Sequence, residues 1–290
     1  MTLELSLGGF QKVSDLSVGA TQTLIDPGVE SPLVSILCTS RGANPLHLEV
    51  LCHSLTKQDG FNFELIVVAC TKRDTEIWED ALRDRTFRYW LLEDYDAVNR
   101  TAAFKTAYQH SRADWNFVLD ADDFLQENAI PYAYWVVKRF PQFRVFCSNH
   151  ARCDEGGSVF SIVKYDPHEQ RPECLSIAFK QRHFWGFHKN IVDTIPGILD
   201  SPWLCEDYWF FSRCAMRSEP VLHIPKTLYF YRLHWQQMTS IYKEDMAIMC
   251  QSIRNEIHRW VCRRTIGNNL ADGIMAERIV RTAQALLDLQ

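Results

Sequence analysis

Two short apolar runs constrain the fold of this chain more than any other feature. Residues 33–38 and 63–69 are short, largely apolar and rich in β-branched side chains. Such runs are typical of strands buried on both faces of a parallel sheet. A helical spacing over residues 47–57 separates them. The alternation then continues with a strand over residues 88–92, a helix over residues 99–111 and a strand over residues 115–119. We therefore predict an α/β fold with a mostly parallel, Rossmann-like central sheet flanked by helices.

The strand over residues 115–119 ends in an acidic cluster. Asp120, Asp122 and Asp123 occupy three of the four positions that follow it. Carboxylates this close together repel one another, and a divalent cation relieves the repulsion while leaving room for an anionic ligand. Ligands of open α/β sheets bind at this edge, outside the carboxyl ends of the strands. A solvated Asp-rich turn would explain the same residues, so the motif alone leaves both interpretations open.

The second half of the chain has a less regular pattern. Residues 183–203 are rich in aromatic residues, Gly and Pro without a clean periodicity, which is typical of a binding-site wall. The more regular segments are a helix over residues 128–140, a strand over residues 145–148, a hairpin turn over residues 154–157, a helix beginning at Glu206, a strand over residues 227–233 and two C-terminal amphipathic helices over residues 243–264 and 271–289. Residues 1–31 are predicted as an irregular leader with one edge strand.

Composition limits the classes of function. The formal net charge of −5 argues against a general nucleic-acid coat protein, because phosphate binding needs a positive field. The ten cysteines are scattered without the spacing of a zinc site or a redox pair, as in a reduced, cytoplasmic protein. The first residues lack a secretion signal, and no apolar run approaches the roughly 20 residues of a membrane span. We expect a soluble protein whose contact with the inner face of a membrane, if it has one, is peripheral.

Four blocks of the sequence together match a known pattern. They are Pro32–Arg41, Ala103–Asp123 with its Leu119 Asp120 Ala121 Asp122 Asp123 motif, Glu206 Asp207 with Arg213, and Tyr231 Arg232 Leu233 His234 with Ser240. In order and spacing they resemble the family 2 glycosyltransferases, which are inverting nucleotide-sugar transferases with the GT-A fold. The resemblance implies a GT-A domain over residues 32–240, with a nucleotide-sugar half (32–125) and an acceptor half (126–240). Residues 241–290 would then be a helical extension.

The resemblance also implies a metal site and a catalytic base. Asp122 is expected to ligate Mn²⁺ or Mg²⁺, with His234 at the metal or near the diphosphate. Asp120 is expected near the ribose or a metal-bound water. Asp207 is the candidate general base for the acceptor hydroxyl. Desolvation would raise its pKa and the helix dipole would lower it, which leaves the net direction open. Glu206 and Asp207 also suit the first turn of any helix, so a structural role fits them equally well.

Donor binding is where the chain departs from the family. Thr39 is expected beside the nucleotide base, and Lys105 and Arg232 are expected near the phosphates. However, Ala69 and Cys70 stand where family members carry an Asp that binds the base, and Lys105 stands where they carry an Asn. A UDP-sugar is the donor that the family implies, and the missing carboxylate leaves the base open.

The sequence therefore predicts a metal-dependent glycosyltransferase that acts by inversion on a glycan, lipid-linked or other acceptor. Two alternatives stay open. One is a glycosyltransferase-like binding protein without turnover. The other is a nucleotidyltransferase, for which Arg41 Gly42 Ala43 is a minimal phosphate loop. The C-terminal helices could pack on the domain, form a homodimer or lie on a membrane surface.

Overall fold

The computed structural model describes residues 22–23, 31–97, 99–180, 182–201 and 205–268. Ten strands lie within these residues. They are β1 (Gln22–Thr23), β2 (Val34–Ser40), β3 (Phe63–Ala69), β4 (Arg88–Glu93), β5 (Trp115–Val118), β6 (Phe124–Leu125), β7 (Val145–Cys153), β8 (Val159–Val163), β9 (Trp185–His188) and β10 (Val221–Arg232).

Nine α-helices and one short 3₁₀ turn, Pro167–Gln170, complete the described part of the chain. The helices are α1 (Pro45–Thr56), α2 (Lys72–Leu82), α3 (Arg100–Gln109), α4 (Ala129–Arg139), α5 (Pro172–Leu175), α6 (Asn190–Thr194), α7 (Glu206–Met216), α8 (Met238–Ile241) and α9 (Lys243–Asn268). Polar caps fix where the first three begin. The side chains of Asn44, Thr71 and Asn99 accept hydrogen bonds from backbone N–H groups in the first turns of α1, α2 and α3.

All ten strands belong to one sheet. Its order is β1-β4-β3-β2-β5-β9-β7-β10-β6, with β8 paired to β7 outside this path. Parallel pairing joins β4, β3, β2 and β5, and it also joins β7 to β10. The short β9 is antiparallel to both β5 and β7 and connects the two parallel blocks. The chain leaves β2 toward β3 on one side and reaches β5 on the other, so a cleft opens beyond the carboxyl ends of β2 and β5.

The apolar runs are buried on both faces of the sheet, as the sequence predicts. Along β3, Leu65 and Val67 point into one core with helix α1, while Ile66 and Val68 point into a second core with helix α3. The predicted strand over residues 63–69 coincides with β3. The α/β prediction is therefore confirmed, with a mainly parallel sheet flanked by helices.

Some elements differ from the prediction. Strand β7 runs to Cys153 instead of ending at Ser148, because its polar residues are buried by neighbours. Within it, the Asn149 side chain accepts a hydrogen bond from the backbone of Tyr165 and lies 2.8 Å from the His223 ring. Helix α2 was not predicted at all. Strand β9 and helix α6 lie in the segment for which no regular element was predicted. The predicted helix over residues 271–289 and most of the leader lie outside the described residues, although β1 supplies the expected edge strand.

Among the described residues, no helix combines the length and apolar character that a membrane crossing requires.

Gly186 lies on β9 at a closely packed position between β5 and β7. It pairs with Phe117 on β5 and with Phe146 on β7. A Cβ atom at this position would contact the Phe146 ring and lie 2.6 Å from the Phe117 ring and 2.8 Å from the Asn116 carbonyl oxygen. Only glycine therefore fits between the two parallel blocks.

We predict that Gly186→Ala destabilises the protein by about 2–3 kcal/mol, because the added methyl group forces the two aromatic rings and the backbone apart. Urea unfolding followed by tryptophan fluorescence measures the change. Gly156→Ala, in the hairpin turn between β7 and β8, is the matched control and should cost less than about 0.5 kcal/mol, since its new methyl group would only contact Asp154 at 3.4 Å. Equal stability of Gly186→Ala and wild type would contradict this account of β9.

Candidate active site

A cleft of about 330 Å³ lies beyond the carboxyl ends of β2 and β5. This volume is within the range of small-molecule sites. Five of the seven site residues expected from the sequence line it: Thr39, Asp120, Asp122, Asp207 and His234. They come from β2, from the loop after β5, from helix α7 and from the segment after β10. The fold thus brings together residues that are up to 195 positions apart in the sequence, from Thr39 to His234.

Strand β10 fixes the acidic loop through Asp123. One carboxylate oxygen of Asp123 accepts a 2.7 Å hydrogen bond from the backbone N–H of Arg232, and the other accepts a 2.6 Å bond from the Tyr229 hydroxyl. That hydroxyl also accepts a bond from the backbone N–H of Asp120. Asp123 is fully buried, and burial together with the charges of Asp122 and Asp120 raises its pKa well above the usual value. Asp123 is therefore an anchor behind the cleft.

Asp122 faces the cleft beside His234. The Asp122 Oδ2 and His234 Nε2 atoms are 2.9 Å apart, and the carboxylate is partly exposed. The His234 ring is buried and lies edge-on to the ring of His47, with 5.0 Å between centroids. Within the described residues, neither the Nδ1 atom of His234 nor that of His47 has a hydrogen-bond partner. A carboxylate oxygen and an imidazole nitrogen that meet at the cleft surface are a suitable pair of ligands for a divalent cation.

A second group could also hold a metal ion. One ligand atom each of Asp120, Asp123 and His183 lies within 4.8 Å of the others. The His183 ring stacks on Tyr231 with 3.9 Å between centroids, and burial lowers its pKa far below the usual value, so the imidazole is neutral and able to bind metal. However, both carboxylate oxygens of Asp123 already accept internal hydrogen bonds. We therefore place the stronger candidate metal site at Asp122 and His234.

Helix α7 brings a second pair of carboxylates, Glu206 and Asp207, to the cleft. Asp207 accepts hydrogen bonds from the backbone N–H groups of Tyr208, at 2.7 Å, and of Arg182, at 3.2 Å. Burial raises the pKa of Asp207, and these two hydrogen bonds offset only part of that rise. The net pKa shift of Asp207, whose direction the sequence left open, is thus upward. A raised pKa suits a carboxylate that accepts a proton.

Arg100, which sequence reasoning missed, connects the two acidic groups. Its guanidinium Nη2 is paired with Asp120 Oδ1, and its Nε lies 3.8 Å from Glu206 Oε2. Arg100 is the first residue of α3, and its pairing with Asp120 and Glu206 raises its pKa although burial acts in the opposite direction. The sequence did contain a signal for this pairing. The helix was predicted to begin near Asn99, next to a parallel strand that ends in Asp120.

The other two expected residues lie elsewhere. The Lys105 ammonium is paired with Asp200, and Lys105 does not line the cleft. Arg232 is 2% exposed, and its guanidinium Nε donates to the backbone carbonyl of Asp122 from behind the loop. In this structure Lys105 is paired with an acidic residue outside the cleft lining and Arg232 supports the acidic loop, so the expected contact of either side chain with the phosphates stays a prediction.

The end of β2 forms a corner of the cleft without an acidic side chain among its described lining residues. Thr39, Ser40, Arg41 and Cys70 line it, and the buried Ser40 hydroxyl has no partner among the described residues. The nearby carboxylate of Asp74 is buried behind it and accepts hydrogen bonds from the Ala43 backbone and the Thr71 hydroxyl. Asp74 therefore holds the loop after β2.

Comparison with known proteins identifies the fold. The TarS protein of S. aureus in complex with UDP-GlcNAc, residues 1–349, superposes with a TM-score of 0.56 at 12% identity over 80% of this chain and 72% of that chain. A mannosyltransferase from Pyrobaculum calidifontis in complex with GDP-Man and Mn²⁺ gives a TM-score of 0.54 at 13% identity over 91% of this chain and 82% of that one. The chain has a GT-A-like glycosyltransferase fold.

Sequence comparisons add little to this GT-A-like assignment. No protein-family model matches the chain. A protein of Sinorhizobium fredii (strain NBRC 101917 / NGR234), described as "Uncharacterized protein y4gI", is 23% identical over 242 residues, which are 80% of this chain and 26% of that protein. The chain spans about a quarter of the length of this relative and 43% of the longer TarS chain.

We predict that Asp123→Ala lowers the free energy of unfolding by about 2–4 kcal/mol, because the buried Arg232 N–H and Tyr229 hydroxyl would lose their shared acceptor. Urea unfolding measures the effect. Asp123→Asn keeps the shape and one acceptor oxygen and should cost about 1 kcal/mol. If the Ala and Asn variants were equally stable, Asp123 would not be the anchor of the acidic loop.

Proposed function

We propose that this protein is a metal-dependent glycosyltransferase that moves a sugar from a nucleoside diphosphate donor to an acceptor hydroxyl, with inversion of the anomeric centre. One observation carries the proposal. A pair of metal-ligand type, Asp122 with His234, and a half-buried carboxylate with a raised pKa, Asp207, line the same cleft of a GT-A-like fold. Asp122 and His234 suit a cation that binds the diphosphate of a donor. The Asp207 carboxylate suits the hydroxyl of an acceptor.

Asp122 and His234 are the residues that would hold the cation. A mixed carboxylate and imidazole pair suits Mn²⁺ better than Mg²⁺, which prefers oxygen ligands throughout. The mannosyltransferase with a similar fold contains Mn²⁺. When bound, such a cation stabilises the negative charge that develops on the leaving diphosphate. The neighbouring Asp120 would orient the ribose or a metal-bound water.

Asp207 would act as the general base. Its two oxygens are held by the backbone N–H groups of Tyr208 and Arg182, which fixes the orientation of the carboxylate toward the cleft. As the acceptor hydroxyl attacks the anomeric carbon, its proton passes to Asp207. A single displacement of this kind places the new bond opposite the leaving diphosphate and inverts the anomeric centre.

The corner formed by Thr39, Ser40 and Cys70 would hold the nucleotide base. Its hydroxyl and backbone groups can both donate and accept hydrogen bonds, so they can read a base without the usual carboxylate. The two similar structures carry different bases, since one was solved with UDP-GlcNAc and the other with GDP-Man. We retain a UDP-sugar as the first donor to test, with GDP-, TDP- and CDP-activated donors beside it.

The loop after β2 argues against a nucleotidyltransferase. Its Ala43 N–H donates to Asp74 at 2.7 Å, and the Arg41 guanidinium donates to the Ala97 carbonyl at 2.9 Å. A phosphate loop would need both the Ala43 N–H and the Arg41 guanidinium to bind phosphate. A binding protein without turnover remains the second candidate, and kinetics separates it from the enzyme.

Asp207→Asn should lower kcat for donor turnover by about 10²–10⁴-fold while nucleotide affinity stays within about twofold, because the amide cannot accept the proton of the acceptor. The amide also loses one of the two backbone hydrogen bonds that hold Asp207, so circular dichroism must confirm that the variant is folded. Release of nucleoside diphosphate from a panel of nucleotide sugars, with and without simple glycan acceptors, measures kcat. Asp193→Asn, at an exposed position on α6, is the control. Turnover by Asp207→Asn at the wild-type rate would remove Asp207 from the mechanism, and nucleotide binding by wild type without any turnover would favour the binding protein.

The same base predicts the pH dependence. Since the pKa of Asp207 is raised above its usual value of 3.8, the carboxylate is ionised and active only above this raised pKa. The kcat/KM of the wild type should therefore fall as the pH falls through a value above 3.8. A pH profile without such an acidic limb would indicate a different proton acceptor.

A further inference from the structure

Arg100 occupies an unusual position among the charges of the cleft. The lining carboxylates are Asp120, Asp122, Glu206 and Asp207, and Arg100 is paired with the first and third of them. The other two lining guanidinium groups have different surroundings. Arg41 donates to a backbone carbonyl. Arg182 is 1% exposed, and its guanidinium lies 4.9 Å from the centroids of the Phe179 and Phe211 rings.

The pairing of Arg100 places its charge where a divalent cation would act. Asp120 is two residues before Asp122, and both carboxylates line the cleft together with Arg100. A cation at Asp122 and His234 would therefore repel the guanidinium and compete with it for the same negative charge. New negative charge that entered the cleft would favour retaining both positive groups.

The Arg100 side chain is held firmly by only one of its two acidic partners, Asp120. It projects from the first residue of α3, it is 30% exposed, and its contact with Glu206 is loose at 3.8 Å. A donor would bring the required charge, because its diphosphate binds beside the cation. A guanidinium matches phosphate oxygens in geometry as well as charge.

We propose that Arg100 is an exchangeable counter-ion: it neutralises Asp120 and Glu206 before the divalent cation binds, and it turns to the phosphate oxygens of the donor once the cation has taken its place. This inference rests on the proposed function, since it requires both a cation and a diphosphate. It assigns Arg100 two opposite effects, because the residue hinders binding of the cation alone and favours binding of the diphosphate.

The test is calorimetric titration of the full chain with MnCl₂ alone, and then with UDP, GDP, TDP and CDP in saturating Mn²⁺. Arg100→Met, which keeps the length of the side chain without its charge, should bind Mn²⁺ roughly threefold to tenfold more tightly than wild type. It should bind the diphosphate roughly tenfold or more weakly. Arg83→Met is the control, because Arg83 carries the same charge at an exposed position just after the last residue of α2, where it pairs with Asp80. Both of its affinities should equal those of wild type.

The two affinities of Arg100→Met should change in opposite directions, which distinguishes the proposed role of Arg100 from a structural role. If Arg100→Met weakened both affinities, or changed neither, Arg100 would be a fixed structural bridge and the inference would be wrong. Circular dichroism confirms that the variant is folded, and Arg100→Lys provides a milder second variant. Because a lysine can reach one carboxylate but cannot bridge two, it should show the same two directions with smaller changes. If wild type bound neither Mn²⁺ nor any nucleotide, the proposed function itself would fail, which is a different outcome from failure of the Arg100 inference alone.

Discussion

Repulsion among closely spaced carboxylates, one of them buried and the others half-buried, is the constraint on which the rest of this site depends. Asp120, Asp123, Glu206 and Asp207 all have raised pKa values, and burial is the largest cause for each. The protein keeps them together by pairing them with hydrogen-bond donors and with Arg100, which serves both Asp120 and Glu206. Asp123 is held by β10, Asp207 by two backbone N–H groups and Asp120 by Arg100. A cleft with this charge is suited to a divalent cation and an anionic ligand.

The sheet topology creates this concentration of charge. Strand β5 ends beside β2, and the antiparallel β9 closes the gap between β5 and the second parallel block. Because Gly186 has no side chain, the two parallel blocks can approach each other at this position. The acidic loop after β5 and the first turn of α7 consequently open into one cleft, although about 85 residues separate Asp122 from Asp207. Packing within the sheet therefore sets the positions of the side chains that line the cleft.

Much of this arrangement follows from the sequence. Continuous apolar runs identify buried parallel strands, and an acidic cluster at the end of one of them identifies the edge where a ligand binds. The partners of the carboxylates could not be read in the same way. Arg100 looks like an ordinary exposed residue in the first turn of a helix, and Lys105 looks equally suited to phosphate until Asp200 appears beside it. These differences depend on tertiary contacts between distant segments, which local patterns do not encode.

The central claim is that Asp122 lies at a cation-dependent site for a nucleoside diphosphate. Calorimetric titration of UDP, GDP, TDP and CDP into wild type and Asp122→Asn, each with and without Mn²⁺, tests it most directly. Asp200→Asn, at an exposed carboxylate outside the cleft lining, is the matched control. We expect that at least one nucleotide binds wild type only when Mn²⁺ is present, and that Asp122→Asn weakens this binding by about tenfold or more. Nucleotide binding of equal strength without Mn²⁺, or in Asp122→Asn, would contradict it.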